Sequence, residues 1–464
     1  MTTLMHRIFP LLIYLAAPLA SAVADDPFQT QAMAPLKPSP QLSGRVGEAP
    51  CATDLPATPL NAIDAVDLTL CNNPQTREVW AAARAQAALV GVAQSAWLPN
   101  LDGRASGTRN FTDNANFTQN TAALTLSWLM FDFGQRSAHN ENAGQLLNAA
   151  AASQSATVQT LFLSALQSFY TAQATRAAVV SASEAERSAR EGFAAADSRY
   201  QVGVATPADR LQAQTALSQA SLNRIKAEGE ARNALGALAN ALGFDAQRPI
   251  ILAANPAVPT EAVFQRDVDA LINEARQRRP DLKAAEAQVK AAEAGVDLAR
   301  AQGRPTISVS TGPNWQTLGG VTSNSGSIGI TLNVPIFSGF ETTYRVRSAA
   351  AQAEVKAAQR DRINLQIALD VWKAYQNLTT ATQSLQATAD LLASAEQSER
   401  VALGRYKAGV GTVLDLLTAQ SALASARLQR IQAGLDWYVF RATLAQTMGA
   451  LDYTLLQPVA ERRP

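Results

Sequence analysis

Hydrophobic and polar positions along this chain of 464 residues follow two different periods. Near residue 330 they alternate, with Ile328, Ile330, Leu332 and Val334 separated by Gly329, Thr331 and Asn333. That is the period of a strand with one apolar face. Leu124, Leu126 and Trp128 alternate with Thr125 and Ser127 in the same way. Partner strands are expected after Pro99 and Pro305, from Leu101 to Phe111 and from Ile307 to Trp315. From His139 to Arg199 and from Arg345 to Lys407 the pattern changes to Ala-, Gln-, Ser- and Glu-rich stretches with sparse large apolar residues such as Leu161, Leu166 and Leu385. This composition predicts long helices with a narrow packing seam and solvated outer faces, each roughly 90 Å long at 1.5 Å per residue.

The pattern occurs twice. RYQVGVATPADRLQAQTALSQA from Arg199 aligns with RYKAGVGTVLDLLTAQSALASA from Arg405, an offset of 405 − 199 = 206, with 12 of 22 positions identical. The same shift carries Pro74 onto Pro280, Pro99 onto Pro305, Leu126 onto Leu332 and Phe131 onto Phe337. The chain therefore reads as a tandem duplication. Each half holds a helical segment, two strands, a very long helix, a glycine break and another helix. The breaks are Gly203 and Gly409, and new helices start at Thr206 and Thr412, with Asp209 and Asp415 three residues on. Threonine N-caps, an acid in the first turn and Pro207 just inside the first helix are good start signals. Two equivalent helical hairpins result, with tips about 90 Å from the strands.

After the N-terminal leader no run approaches the ~20 apolar residues of a membrane-crossing helix, which leaves a β-barrel as the way to span a bilayer. The strands have about the 9–11 residues of tilted transmembrane strands. Trp128, Phe131, Phe133, Trp315, Phe337 and Phe340 fit an interfacial aromatic girdle; two hairpins of a soluble sheet are the alternative. Four strands cannot close a barrel, since the smallest have about 8 and are filled by their own side chains. Copies must combine, and three copies would give twelve strands and a water-filled pore.

Arg7, the apolar stretch Ile8 to Leu19 and small residues at Ala22-Val23-Ala24 read as a secretory signal cut before Asp25. No Cys follows the cut, so a lipid-anchored start is not indicated. In an oxidising compartment Cys51 and Cys71 are expected to pair, with two free thiols as the alternative. The Pro-rich segment from Asp25 to Pro59 reads as coil on the outside. Past the leader His139 is the sole histidine, and neither a phosphate-binding loop nor a G-x-S-x-G elbow is present. No catalytic residue, metal site or cofactor is expected, and an enzyme is excluded. Lys+Arg 39 against Asp+Glu 38 gives a net charge of +1, too little to collect nucleic acid. The expected divisions are a signal peptide (1–24), a Pro-rich N-terminal extension (25–70), repeat 1 (71–249), a linker and equatorial segment (250–279), repeat 2 (280–449) and a C-terminal tail (450–464).

Local signatures recur in a fixed order: LNAIDAVDLTLCNNP before the first half, RRPDLKAAEAQVKAAEAGVDLARAQGRP opening the second, LSWLMFDFG and LNVPIFSGF at the strand ends, and paired RYxxGV tips. Together they resemble the TolC-type outer-membrane efflux and secretion channel family over nearly all of the mature chain. The resemblance implies a mostly α fold with a small β part: a homotrimer whose twelve strands form one barrel in outer-membrane lipid, continuing into a long periplasmic α-helical barrel. It implies a passive exit duct whose tips dock onto a periplasmic adaptor protein coupled to an inner-membrane pump or ABC exporter, which supplies the energy. Residues carried over are Asp415 as a constricting carboxylate ring, Tyr406 and Asp209 as contacts that hold the entrance shut, and Gly203, Val204, Thr206, Gly409, Val410 and Thr412 as adaptor-docking tips. Thr418 and Gly411 depart from the family pattern, where a second acid and an Arg often sit. Simple helix capping is the other reading of Asp209 and Asp415, and turn chemistry that of the Gly and Thr tips. A trimeric coiled-coil surface protein competes as a function, but a stalk has no need of alternating strands. The cargo, drug or polypeptide, is not legible.

Overall fold

The computed structural model describes residues 26–35, 37, 51, 54–112, 115–254 and 267–456. The expected signal peptide and residues 457–464 of the tail lie outside the described residues. In chain order the elements are α1 (Thr30–Met33), α2 (Ala62–Asn72), α3 (Pro74–Ser95), β1 (Asn100–Thr112), β2 (Ala115–Phe131), α4 (Gln135–Gln201), α5 (Pro207–Ala241), α6 (Val268–Arg278), α7 (Pro280–Ala301), β3 (Thr306–Leu318), β4 (Val321–Asn333), α8 (Glu341–Lys407) and α9 (Val413–Thr447), followed by a 3-10 turn at Tyr453–Leu456. Helix starts repeat at the offset read from the sequence, and α2 and α6 are counterparts too, so the repeated unit begins at Ala62 and Val268. No helix among the described residues is long and apolar enough to cross a membrane. The chain packs as two compact units, each drawing on both repeats.

The first unit comprises residues to 36, 80–153 and 283–361. Its four strands form an antiparallel sheet in the order β1-β2-β3-β4, with β2 against β3 joining the repeats. The register stacks Leu101 beside Leu126, Trp128 beside Val309, and Val309 beside Ile330, building one apolar face. Gly319 and Gly320, both at positive φ, make the two-residue turn between the paired Leu318 and Val321, as a tight hairpin requires. A Cβ on Gly312 would lie 1.8 Å from the Leu124 carbonyl oxygen, so only glycine fits where β3 approaches β2. Next to it Pro313 has no N–H to donate, and the β2–β3 pairing is interrupted between Ala123 and Leu126. The strands, of 13, 17, 13 and 13 residues, outrun the expected spans because their polar outer ends stay paired after the apolar pattern stops. Val334, expected to belong to the last strand, lies just beyond it.

Strand turns into helix through two successive left-handed residues in both repeats: Phe133 (φ 52°) and Gly134 (φ 100°), then Gly339 (φ 62°) and Phe340 (φ 65°). The helices therefore begin at Gln135 and Glu341, earlier than the expected His139 and Arg345. In the first repeat a buried ion pair fills this junction. The Arg136 Nε donates to the Asp132 carboxylate at 2.9 Å, its Nη1 and Nη2 donate to the carbonyls of Leu129 (2.7 Å) and Met130 (3.2 Å), and the guanidinium lies 4.2 Å from the Trp97 ring centroid. Within the same unit the N-terminal segment is helical at α1, where the Asp26 carboxylate accepts from the Thr30 and Gln31 N–H groups. Ala34 is buried with Ala87, Val90 and Leu147, so the expected outer coil gives way here to a packed segment.

The second unit comprises 37–79, 154–282 and from 362 onward. Its core gathers Phe162, Leu166, Leu238, Leu271, Ile367 and Leu451, all at most 1% exposed, each worth roughly 1.5–3 kcal/mol in burial. Tyr170 stacks on Tyr438 with centroids 4.6 Å apart. The Tyr453 hydroxyl donates to the buried Asp67 at 2.5 Å, tying the 3-10 turn to α2. Along α8 the buried residues Ile367, Val371, Ala374, Leu378, Ala381 and Leu385 are spaced four and three alternately, a heptad seam. Cys51 and Cys71 form a disulfide with Cα atoms 5.3 Å apart.

Candidate functional site at the hairpin tips

Each hairpin turns by the same chemistry. Gly203 (φ 77°) and Gly409 (φ 82°) adopt the left-handed conformation that closes a long helix. The Val204 and Val410 N–H groups reach back to the carbonyls of Arg199 and Arg405, both at 3.0 Å, and those of Gly203 and Gly409 to Tyr200 and Tyr406. This is the Schellman arrangement. It leaves the Val204 and Val410 side chains 63% and 69% exposed.

A capping box opens each return helix. The Asp209 N–H donates to the Thr206 hydroxyl oxygen at 3.2 Å, and the Thr206 N–H donates back to the Asp209 carboxylate at 2.9 Å. At the second tip the corresponding distances are 3.1 Å for Asp415 to Thr412 and 3.3 Å for the return. Thr206's backbone and hydroxyl, with Arg199 nearby, hold the Asp209 carboxyl below the usual carboxylate range. Thr412's hydroxyl and backbone do the same for the exposed Asp415. Both acids are therefore anionic at neutral pH and both cap helices; the Gly and Thr positions perform turn chemistry.

Tyr406 is 3% exposed, in a cluster with Ala196, Ala213, Val413 and Leu416. Its hydroxyl has no hydrogen-bond partner among the described residues, and burial raises its pKa, with Arg199 opposing. Arg199, unforeseen in the sequence, adds a polar contact between the two hairpins at the tips: its Nη1 donates to the Tyr406 carbonyl at 2.7 Å, and its guanidinium lies 5.0 Å from the Tyr406 ring centroid. The hairpins also differ at repeat-related pairs, one of them close to the tips. Asp197 accepts from Arg210 Nε at 2.5 Å in the first, where the second has the apolar Leu403 and Leu416. Comparing the repeats at the 206 offset exposes that difference.

The sequence matches the family described as "Outer membrane efflux protein" over residues 65–244 and 271–450, one match per repeat. The chain belongs to that TolC-type family. Its members are outer-membrane efflux and secretion channels, not enzymes. Similar proteins include Protein CyaE of Bordetella pertussis, 35% identical over 402 residues covering 83% of this chain and 84% of that one. The alkaline protease secretion protein AprF of Pseudomonas aeruginosa is 24% identical, with coverage of 86% and 87%. Among solved structures, a membrane protein from Pseudomonas aeruginosa shares the fold with a TM-score of 0.75 at 22% identity, covering 88% of this chain and 100% of that one.

Proposed function

We propose that three copies of this chain close into one barrel and one helical tunnel, the passive exit duct of a tripartite efflux pump or a type I secretion system. The observation that carries the reading is a sheet with two open edges. The outer edges of β1 and β4 have no strand partner among the described residues, and unpaired backbone groups cost several kcal/mol each in hydrocarbon. Pairing β4 of one copy with β1 of the next satisfies them, and threefold closure yields a barrel wide enough for water. The apolar face carrying Leu124, Leu126, Ile328 and Ile330 then meets lipid.

The tips form the periplasmic entrance. Threefold repetition crowds three Asp415 carboxylates around one axis, where they attract cations, while Arg199, Asp209 and Tyr406 brace the first hairpin against the second. Gly203, Thr206, Gly409 and Thr412 shape the turns that offer Val204 and Val410 to a periplasmic adaptor protein. An inner-membrane pump or ABC exporter supplies the energy. The family description favours efflux cargo, and the likeness to a protease secretion protein favours a polypeptide.

The purified full chain in planar bilayers tests this. Discrete conductance steps are expected, and Asp415→Ala is expected to change cation selectivity and block by multivalent cations. Unchanged selectivity reduces Asp415 to a helix cap; a stable monomer by native mass spectrometry removes the duct.

A further inference from the structure

The four strands contain three charged residues, Asp102, Arg104 and Arg109, all on β1. The register sets Asp102 opposite Thr125 and Arg104 opposite Ala123. Their face continues through Ser127, Ser310 and Gly329 and includes the Ser106–Thr121 hydroxyl pair at 2.6 Å. It is the side opposite Leu126 and Ile330, and apart from the two charges it is dominated by hydroxyl, amide and small side chains. Arg109 stands on the other face, its guanidinium 5.6 Å from the Phe111 ring centroid. Neither Asp102 nor Arg104 forms an ion pair or side-chain hydrogen bond among the described residues.

We infer that Asp102 and Arg104 make a charge-balanced collar in the barrel lumen, so that the exit passes cargo of either charge and charge selection rests with the periplasmic entrance. Two residues apart on a strand, the charges sit about 7 Å from one another along the wall, within the ~8 Å screening length of physiological salt. A passing solute meets opposite charges at nearly the same depth. Such a lumen suits a polypeptide carrying both signs. The inference rests on the threefold closure proposed above. The competing explanation is that charges on an edge strand only discourage wrong pairing, and it entails no effect on permeation.

The test uses the full chain in planar bilayers under a potassium chloride gradient at about 10 mM, where screening extends ~30 Å. Three unit charges roughly 10 Å from the pore axis change local ion concentrations by about threefold under these conditions. Asp102→Asn is expected to lower the cation-to-anion permeability ratio by about the square of that factor, because cations are depleted as anions are enriched, and Arg104→Gln to raise it. The double variant is expected to return to the unmodified ratio, and Arg109→Gln to leave it unchanged. All differences vanish near 1 M salt, where screening falls to ~3 Å. Absence of any conductance from the unmodified protein sinks the channel reading and the collar with it. Normal conductance with both single variants at the original ratio overturns the collar alone. A shift in Arg109→Gln matching that of Arg104→Gln overturns the assignment of faces.

Discussion

Replacing Arg136 by alanine is expected to destabilise the protein by about 3–5 kcal/mol, the cost of removing one partner from a buried ion pair. The side chains of Arg136 and Asp132 are 6% and 5% exposed. Truncation leaves the Asp132 carboxylate without its counter-charge and strips hydrogen bonds from the Leu129 and Met130 carbonyls, each worth about 1–3 kcal/mol when left unpaired. The total falls short of the sum because Asp132 keeps the backbone N–H groups of Gly134 (3.3 Å) and residue 136 (2.8 Å), and water enters the vacated space. The duplication supplies the control. At the same offset Ser338 and Thr342 replace the ion pair, with exposed hydroxyls 3.5 Å apart. Gly303 stands where the first repeat has Trp97, and a Cβ on it would meet the Thr342 methyl at 2.6 Å. Thr342→Ala is therefore expected to cost less than about 1 kcal/mol. Denaturant unfolding in detergent, followed by circular dichroism and compared at equal m-value, measures both variants. A loss below about 1 kcal/mol for Arg136→Ala, or an equal loss for the two, refutes the argument from burial.

Burial pushes the Tyr170 phenol up to about 12, with Tyr438 beside it adding to the rise. A raised folded-state pKa means that stabilisation is full below the ordinary phenol range near 10 and is lost as pH climbs toward 12. A phenolate absorbance titration should show a late-ionising tyrosine that Tyr170→Phe removes; full ionisation of every tyrosine near pH 10 in the folded protein contradicts this. Cys51→Ser should lower stability by roughly 3 kcal/mol, the value for closing a loop of this length. Reductant should lower the unmodified protein to the same level, and thermal unfolding indifferent to both treatments removes the disulfide from the fold's energetics.

Much of the fold was legible because one sequence carries it twice. The 206 offset aligned hairpins, glycine breaks and threonine caps, and period-2 alternation assigned the apolar face correctly. Strand lengths were not legible, because beyond the apolar region both faces are polar and alternation vanishes while pairing continues. Helix starts were displaced because a pair of left-handed residues, Phe133 with Gly134 and Gly339 with Phe340, leaves no periodic trace and exchanges residue types between repeats. At the tips the caps were plain from Thr and Asp spacing. The reach of Arg199 to Tyr406 spans two distant segments, and no local pattern signals it. The first repeat's Arg136 junction was hidden for a different reason: the second repeat solves the same corner with Gly303 and Thr342, so the 206 offset brings no echo of it.

The paired helices have matched lengths, 67 residues in α4 and α8 and 35 in α5 and α9. Such equality couples the evolutionary fate of the two halves. An insertion in one hairpin alone would lift its tip out of level with the other and part Arg199 from Tyr406. Lengthening or shortening must therefore arrive in both halves together and in whole heptads that keep the seams in phase, which leaves substitution, rather than insertion, as the easy route by which one repeat diverges from its twin.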